Sequence, residues 1–390
     1  MVRLVFLQSP RLPSPLRAAP AVFAVALAVL LAGAGSRHFA VLPLVAPVAQ
    51  AAQNASPSVC NLETTERIVA VGDVHGAYTE FVAILRAAGL IDARDRWIGG
   101  RARLVQTGDV VDRGTGSRRA LDLLRKLERD ADRAGGRVYA LLGNHEVMRL
   151  TGDWRYVSAG EYAEFRNGDS EALRERIFEA AAQSGIQQAR REGTTLDMAA
   201  IRERFMKETP LGSIEMIQAF GPTGEYGRWL RTHDTIIRIN GIVFVHGGVD
   251  AAAAAMGCEA INAAVRRDTA VVMPSPETAA AMFALSATGP LWYRGLAEEP
   301  EASFAPTLTA ILDQLGARAI VIGHTIAAGR MATRFDGRVI QIDTGMLHGD
   351  FFPGGASSAL EIRGASVTAI YATGRDSLQL PARATPVVAH

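Results

Sequence analysis

The residues of this sequence best suited to chemistry recur in short, glycine-flanked groups. These are Gly72-Asp73-Val74-His75-Gly76, Gly108-Asp109-Val110-Val111-Asp112-Arg113-Gly114, Gly143-Asn144-His145-Glu146, His246-Gly247-Gly248 and Gly323-His324-Thr325. Together they offer carboxylate and amide oxygens and imidazole nitrogens, with no thiolate. That donor set suits Mn, Fe or Zn rather than a cysteine-bound structural zinc. Two such ions about 3.5–4 Å apart clamp both oxygens of an in-line displacement at phosphorus and lower the pKa of a bound water. One Asp-x-His alone reads equally well as a helix cap beside a core histidine, and one Gly-rich turn as only a turn. Five such groups in one chain point to a dinuclear centre built from Asp73, His75, Asp109, Asn144, His246 and His324.

Each group follows a stretch that reads as a strand. Residues 68–71, after Arg67, form a short apolar run rich in β-branched side chains that ends at Gly72, and residues 104–107 and 138–142 read as further strands. Between them Phe81, Ile84, Leu85 and Ala88 recur at helical spacing with Gly89 as a stop. A second helix carries Ala120, Leu121, Leu124 and Leu127, with Ser117 as its expected cap and Gly135-Gly136 as its end. Strand–helix–strand–helix–strand is the signature of a parallel α/β layer, in which ligands bind outside the carboxyl ends of the strands.

Residues 154–231 are charged and helical in pattern, with the clearest helices at 171–183 and 198–207, and read as an insertion over the core. Strands return at 235–245, with Asn240-Gly241 as a hairpin turn, then at 317–322, 339–342 and 366–371. Asp336-Gly337 is a second hairpin signal, and residues 376–390 read as a loose tail.

Lys plus Arg total 41 against 40 for Asp plus Glu, a net charge of +1, so the basic excess of a nucleic-acid binder is lacking. The 48% hydrophobic content is ample for a sizeable core. At the N-terminus Arg3, Arg11 and Arg17 precede an uncharged apolar run over residues 18–34, and Ala49-Gln50-Ala51 offers a signal-peptidase site. Residues 1–52 therefore read as a cleaved secretory signal plus linker, with an uncleaved membrane anchor as the alternative. Either reading places the catalytic domain, residues 60–375, outside the cytoplasm, periplasmic or secreted. Cys60 and Cys258 read as two unpaired small side chains or, after export, as a single bridge.

The order GDVHG, GDVVDRG, GNHE, HGG, GHT resembles the calcineurin-like metallophosphoesterases, specifically the phosphoprotein-phosphatase branch, from Gly72 to Thr325. The resemblance implies an αββα sandwich of two packed mixed sheets flanked by helices. It implies Asp73 and His75 as ligands of one metal, Asp109 as the bridging carboxylate, and Asn144, His246 and His324 as ligands of the second. His145 would be the general acid oriented by Asp112, and Arg113 a phosphate clamp. The Ser-Ala-Pro-Asn-Tyr loop of the eukaryotic enzymes is missing; the region reads Asp343-Thr344-Gly345-Met346, then Phe351-Phe352-Pro353. With Pro290-Leu291-Trp292-Tyr293-Arg294-Gly295, this is similar to the bacterial-type Shewanella-like phosphatases, where Arg294 would be a second phosphate-binding arginine.

The activity so implied is phosphomonoester hydrolysis by direct attack of a hydroxide held between two metal ions, on phosphoproteins and favouring phosphotyrosine. The partners are then a phosphorylated protein or peptide, or a small phosphoester. No nucleic acid is expected, and a membrane only through an uncleaved N-terminus. A phosphodiesterase or dinucleoside-polyphosphate hydrolase would use the same site, and a non-catalytic phospho-binding module would have lost ligands that this chain retains. Competing readings make Asp112-Arg113 an internal salt bridge, Arg294 a surface arginine, Trp292 and Tyr293 core residues, His233 structural or exposed, and His348 solvated.

Overall fold

A computed structural model describes residues 58–193, 195–349 and 351–381; the expected signal segment lies outside the described residues. The chain builds two mixed β-sheets. The first contains β1 (Ile68–Val71), β2 (Arg103–Gln106), β3 (Arg137–Ala140), β9 (Ser358–Arg363), β10 (Ser366–Tyr371) and β11 (Gly374–Leu378), in the order β11-β10-β9-β1-β2-β3. The second contains β4 (Ile236–Ile239), β5 (Ile242–Val245), β6 (Ala319–Ile322), β7 (Ala332–Arg334) and β8 (Val339–Gln341), in the order β4-β5-β6-β8-β7. Strands β1, β2 and β3 are parallel, as are β5, β6 and β8; the first sheet continues antiparallel on the β9 side only, and the second has an antiparallel strand at each edge.

Alternation along the strands explains the layering. Ile68 and Ala70, Ile237 and Ile239, Ile242 and Phe244, Leu360 and Ile362, and Val367, Ala369 and Tyr371 each lie two residues apart and meet in one buried cluster fed by both sheets. The opposite phase of the second sheet, Val243, Val245, Ile320, Ile322 and Val339, packs with Ala253, Ile261, Leu308, Ile311 and Leu312 from the helices Ala251–Met256, Cys258–Thr269 and Glu301–Leu315. The helix Ser117–Arg133 packs against β3, and Tyr78–Ala87 against β9 and β10. The αββα arrangement follows from this phasing. Phe244 is fully buried between the sheets, and its truncation to alanine removes about 3–5 kcal/mol.

Asn240 and Gly241 take φ of 54° and 69° between β4 and β5, the left-handed pair of a tight hairpin turn. Four elements correct the sequence reading. Gly116, not Ser117, occupies the cap of the helix Ser117–Arg133, and Ser117 is its first residue. Asp376–Leu378, expected in the loose tail, complete β11, because pairing with β10 outweighs their weak strand preference. Strands β7 and β9 were also unexpected.

Within the region expected to be an insertion, residues 166–218 form a compact unit of their own, while 154–165 and 219–231 belong to the larger unit that holds the sheets. The smaller unit has its own core of Ile177, Phe178, Ala181, Ala182, Phe205 and Ile214, with the Phe178 and Phe205 rings 5.4 Å apart. Asp197 caps one of its helices, Met198–Glu208, by accepting from Ala199 N and Ala200 N at 3.1 Å. In the larger unit, Cys60 and Cys258 are joined by a disulfide across a sequence separation of 198, tying the segment before β1 to the helix Cys258–Thr269. Among the described residues no helix is long and apolar enough to cross a membrane.

Candidate active site

Parallel strands of both sheets deliver their next residues to one place. Asp73 and His75 follow β1, Asp109, Asp112 and Arg113 follow β2, and Asn144, His145 and Glu146 follow β3. His246 follows β5, His324 follows β6 and Asp343 follows β8. The turns are tight. Of the ten non-glycine residues with positive φ among those described, five are here: His75 (48°), Asp109 (56°), Asp112 (73°), Arg113 (71°) and His324 (62°). Each such residue costs about 1–3 kcal/mol and persists only where neighbours over-determine it. The neighbours are visible. The buried Glu146 carboxylate accepts from Gly143 N, Asp109 N and Val110 N at 2.8 Å, and Val74 N and His75 N both donate to Asp109 O at 2.9 Å. A Cβ on Gly143 would collide with Asp109 Oδ1, and one on Gly323 with Asp73 Oδ1, so only glycine lets these carboxylates approach the backbone.

The imidazoles are set up as ligands. His75 Nδ1 lies 3.0 Å from Val111 O and His246 Nδ1 lies 3.0 Å from Thr107 O. A carbonyl can only accept, so each Nδ1 carries the proton and each Nε2 keeps its lone pair for a cation. His75 Nε2 then faces Asp109 Oδ2 at 3.6 Å and Asp73 Oδ2 at 3.8 Å. His246 Nε2 faces Asn144 Oδ1 at 2.9 Å and Asp109 Oδ2 at 3.3 Å. In the neutral ring three acceptors converge on one point, an arrangement that a cation resolves. Burial pulls His75 down to about 3 and His324 down to about 2, so both are neutral at ordinary pH. His324 Nε2 is buried without a hydrogen-bond partner.

The carboxylates add to the case. Burial, then the nearby Asp343 and Asp109, raise Asp73 well above the usual carboxylate range, and burial raises Asp343 to about 6. Burial would raise Asp109 too, but His246, His145 and His75 outweigh it and hold that carboxyl well below its ordinary value. Buried acids gathered beside His75 and His324, which burial keeps neutral, suit added positive charge. Two donor groups have ligand atoms within 4.8 Å of one another: His75, Asp109 and His145, and Asp109, His246 and His324. Asp109 belongs to both, as a bridging ligand must. The residues present therefore fit a pair of metal ions held by Asp73, His75, Asp109, Asn144, His246 and His324.

His145 falls in the first group by distance, but its nitrogens are otherwise engaged. Nδ1 donates to Asp112 Oδ2 at 2.6 Å, and Nε2 accepts from Arg113 Nη2 at 3.3 Å. Burial and the Arg113 charge lower its pKa, yet Asp109 and Asp112 outweigh them and raise it, which favours taking up a second proton at Nε2. Nε2 is thus taken up by Arg113 rather than left open to a metal, and once protonated it is a proton donor. Asp112 forms its ion pair with Arg149 rather than with Arg113, at 2.6 Å, and Arg149 reaches Glu161 at 2.5 Å. Arg113 is thus left facing the site, half-buried. Arg294 is also half-buried rather than on the surface, and donates to His324 O at 3.1 Å and Thr325 Oγ1 at 2.9 Å.

All ten residues expected in the site are brought together, with Arg294 joined through the His324 loop. The sequence reading missed the support around them. Arg149 lies one helical turn after His145 on the helix Asn144–Thr151, a spacing that could have flagged it. Glu146 and Asp343 stand in motifs that had been recognised, without a role. Glu161 had no local signal. Trp292 packs edge-on to His324, ring centroids 5.9 Å apart, and with Met148, Leu285 and Arg294 lines a recess of about 680 Å³. Tyr293 packs on the apolar cluster behind the second sheet. His233 is buried, and His348 is exposed.

The pattern of the calcineurin-like phosphoesterases matches residues 66–327. The chain is similar to Shewanella-like protein phosphatase 2 of Arabidopsis thaliana, 33% identical over 77% of this chain and 76% of the relative. It is similar to Shewanella-like protein phosphatase 1 of Plasmodium berghei, 27% identical over 73% of this chain and 68% of the relative. Among solved structures, the cold-active protein-tyrosine phosphatase of a psychrophilic Shewanella species superimposes with a TM-score of 0.62 at 27% identity, covering 84% of each chain. Strand-end loops, a shared Asp109 and a matching family pattern lead to the same result: this chain belongs to the calcineurin-like phosphoesterases, metal-dependent hydrolases of phosphate esters.

Proposed function

We propose that the protein is a phosphomonoesterase acting on phosphoproteins, with a preference for phosphotyrosine, and that it works outside the cytoplasm. The observation that carries the reaction type is the placement of Arg113 Nη2 3.3 Å from His145 Nε2, beside the donor groups that share Asp109. This sets a phosphate clamp next to an imidazole nitrogen that becomes a proton donor once it is protonated. Bound metal ions, with Mn, Fe or Zn suited to the donor set, would supply an activated water and draw charge from the phosphoryl oxygens. Arg113 and Arg294 bind those oxygens as paired donors. His145, held by Asp112 through Nδ1, presents Nε2–H to the leaving oxygen and protonates it as the ester bond breaks. The phosphotyrosine preference is supported by the likeness to a protein-tyrosine phosphatase structure.

The extracytoplasmic location is supported by the arginine-led apolar N-terminus and by the Cys60–Cys258 bridge, a bond that persists in oxidising compartments. Cell fractionation tests it: recovery of the full chain in the cytoplasm with both thiols free would overturn it.

Activity is tested on protein lacking residues 1–52, with and without manganese, against phosphotyrosine and phosphoserine/threonine peptides, bis-(p-nitrophenyl) phosphate and a dinucleoside polyphosphate. Metal-dependent turnover led by the phosphotyrosine peptide, lost in Asp109→Asn and His145→Asn, is expected. Preference for the diester or the dinucleotide would overturn the phosphoprotein assignment while leaving the site assignment intact.

A further inference from the structure

We infer that Tyr156 and Phe352 form an aryl-binding pair at the mouth of the site, which selects phosphate esters whose leaving oxygen is attached to an aromatic ring. The inference rests on the phosphomonoesterase reading above and names the residues behind its substrate preference. Arg113 is the meeting point. Its guanidinium carbon lies 5.7 Å from the Tyr156 ring centre and 5.3 Å from that of Phe352, so two aromatic rings lie within cation–π range of one phosphate-binding group.

The two rings also reach the groups beside Arg113. Tyr156 is 5.0 Å from the His145 ring, and Phe352 is 6.0 Å from the His75 ring. The leaving oxygen must sit at His145 Nε2 to be protonated. In phosphotyrosine that oxygen is bonded directly to the aryl ring, which therefore comes up against Tyr156. In phosphoserine or phosphothreonine the same position holds an sp³ carbon with no π-face.

Packing alone does not account for these positions. Tyr156 is 44% exposed, although its backbone is fixed by Arg113 N donating to its carbonyl at 3.0 Å. Phe352 is half-buried in the loop after β8, where Gly355 N donates to Phe352 O at 2.9 Å and Thr344 Oγ1 to Ala356 O at 2.6 Å. Two separately anchored loops thus each present one ring to the same arginine.

The test compares the parent with Tyr156→Ala, Phe352→Ala and the conservative Tyr156→Phe on two peptides that differ only in carrying phosphotyrosine or phosphoserine. Inhibition by phenylphosphonate and methylphosphonate is measured alongside, and circular dichroism confirms that each variant is folded. Each alanine variant is expected to lower the phosphotyrosine-to-phosphoserine ratio of kcat/KM about tenfold, as aromatic pairing allows. Each should also weaken phenylphosphonate relative to methylphosphonate, while Tyr156→Phe keeps both ratios. Unchanged ratios in both folded alanine variants would overturn the inference and leave the phosphotyrosine reading standing. A parent that favours phosphoserine, yet binds phenylphosphonate through these rings, would overturn the substrate reading and support the aryl pair.

Discussion

Arg149 Nη2 stands 2.6 Å from Asp112 Oδ1, both groups fully buried, while the other oxygen of the same carboxylate lies 2.6 Å from His145 Nδ1. Asp112 is therefore held in an orientation that leaves His145 Nε2 pointing at the site. Burial would raise the Asp112 carboxyl, but Arg149 and His145 outweigh it and keep it ionised. The proton donor is thus positioned by a chain of charges, Glu161–Arg149–Asp112–His145, drawn from three separate segments.

Asp112→Asn should shift the alkaline limb of the kcat–pH profile to lower pH. The Asp112 charge favours the imidazolium, so without it His145 loses its proton at lower pH and the acid form is depleted sooner. The loss of kcat should be about a hundredfold on an alkyl phosphate, whose leaving oxygen needs the proton, and smaller on p-nitrophenyl phosphate. An unmoved limb with equal losses on both substrates would show that His145 is not the acid.

Arg149→Met should destabilise the fold by about 3–5 kcal/mol, because it leaves Asp112 and Glu161 buried without their cation. Urea unfolding of the two proteins at pH 7 measures the difference. A loss below about 1 kcal/mol would mean that solvent reaches the pair and screens it.

Much of this site was legible because its donors are local to their strands. Asp73 and His75 sit two residues apart after β1, and Gly143 and Gly323 are fixed by collisions that exclude any other residue. The support was less legible for a physical reason. Glu161 accepts from Asp112 N across 49 residues, a contact made by tertiary folding with no periodic signal in the sequence. β11 was missed on similar grounds: Gly-Arg-Asp-Ser-Leu has poor strand preference, and its conformation comes from pairing with β10. By contrast, Asn240-Gly241 announced the β4–β5 turn outright, since its backbone demands are local.

Asp109 is common to both donor groups, whereas His324 serves one. Asp109→Asn should therefore empty both metal positions, and His324→Ala one. Metal-to-protein ratios of about two, zero and one are expected for the parent, Asp109→Asn and His324→Ala after exhaustive dialysis, measured by elemental analysis. Ratios that fell equally in the two variants would show that Asp109 is not shared by the two positions. Chelation of the parent should also lower its thermal midpoint, since ions bound only to the folded state stabilise it by mass action.

His233 provides a test of pH and stability at a distance from the metal donors. Its ring is buried edge-on against Trp229 at 4.4 Å, its Nδ1 has no hydrogen-bond partner, and burial pulls its pKa down to about 3. In the unfolded chain the same ring titrates near 6.5, so between these values the unfolded state binds a proton that the folded state refuses. The contribution is fully present above pH 6.5 and is lost as pH falls. Glu128 Oε1 lies 3.6 Å from His233 Nε2, but burial raises the Glu128 carboxyl, so it compensates little as the solution acidifies. His233→Leu removes the titration. Between pH 7 and 4.5 the parent should therefore lose roughly 2–3 kcal/mol more stability than the variant, read from urea midpoints at each pH. Parallel curves for the two proteins would mean that the ring accepts its proton in place and that the pocket opens to water.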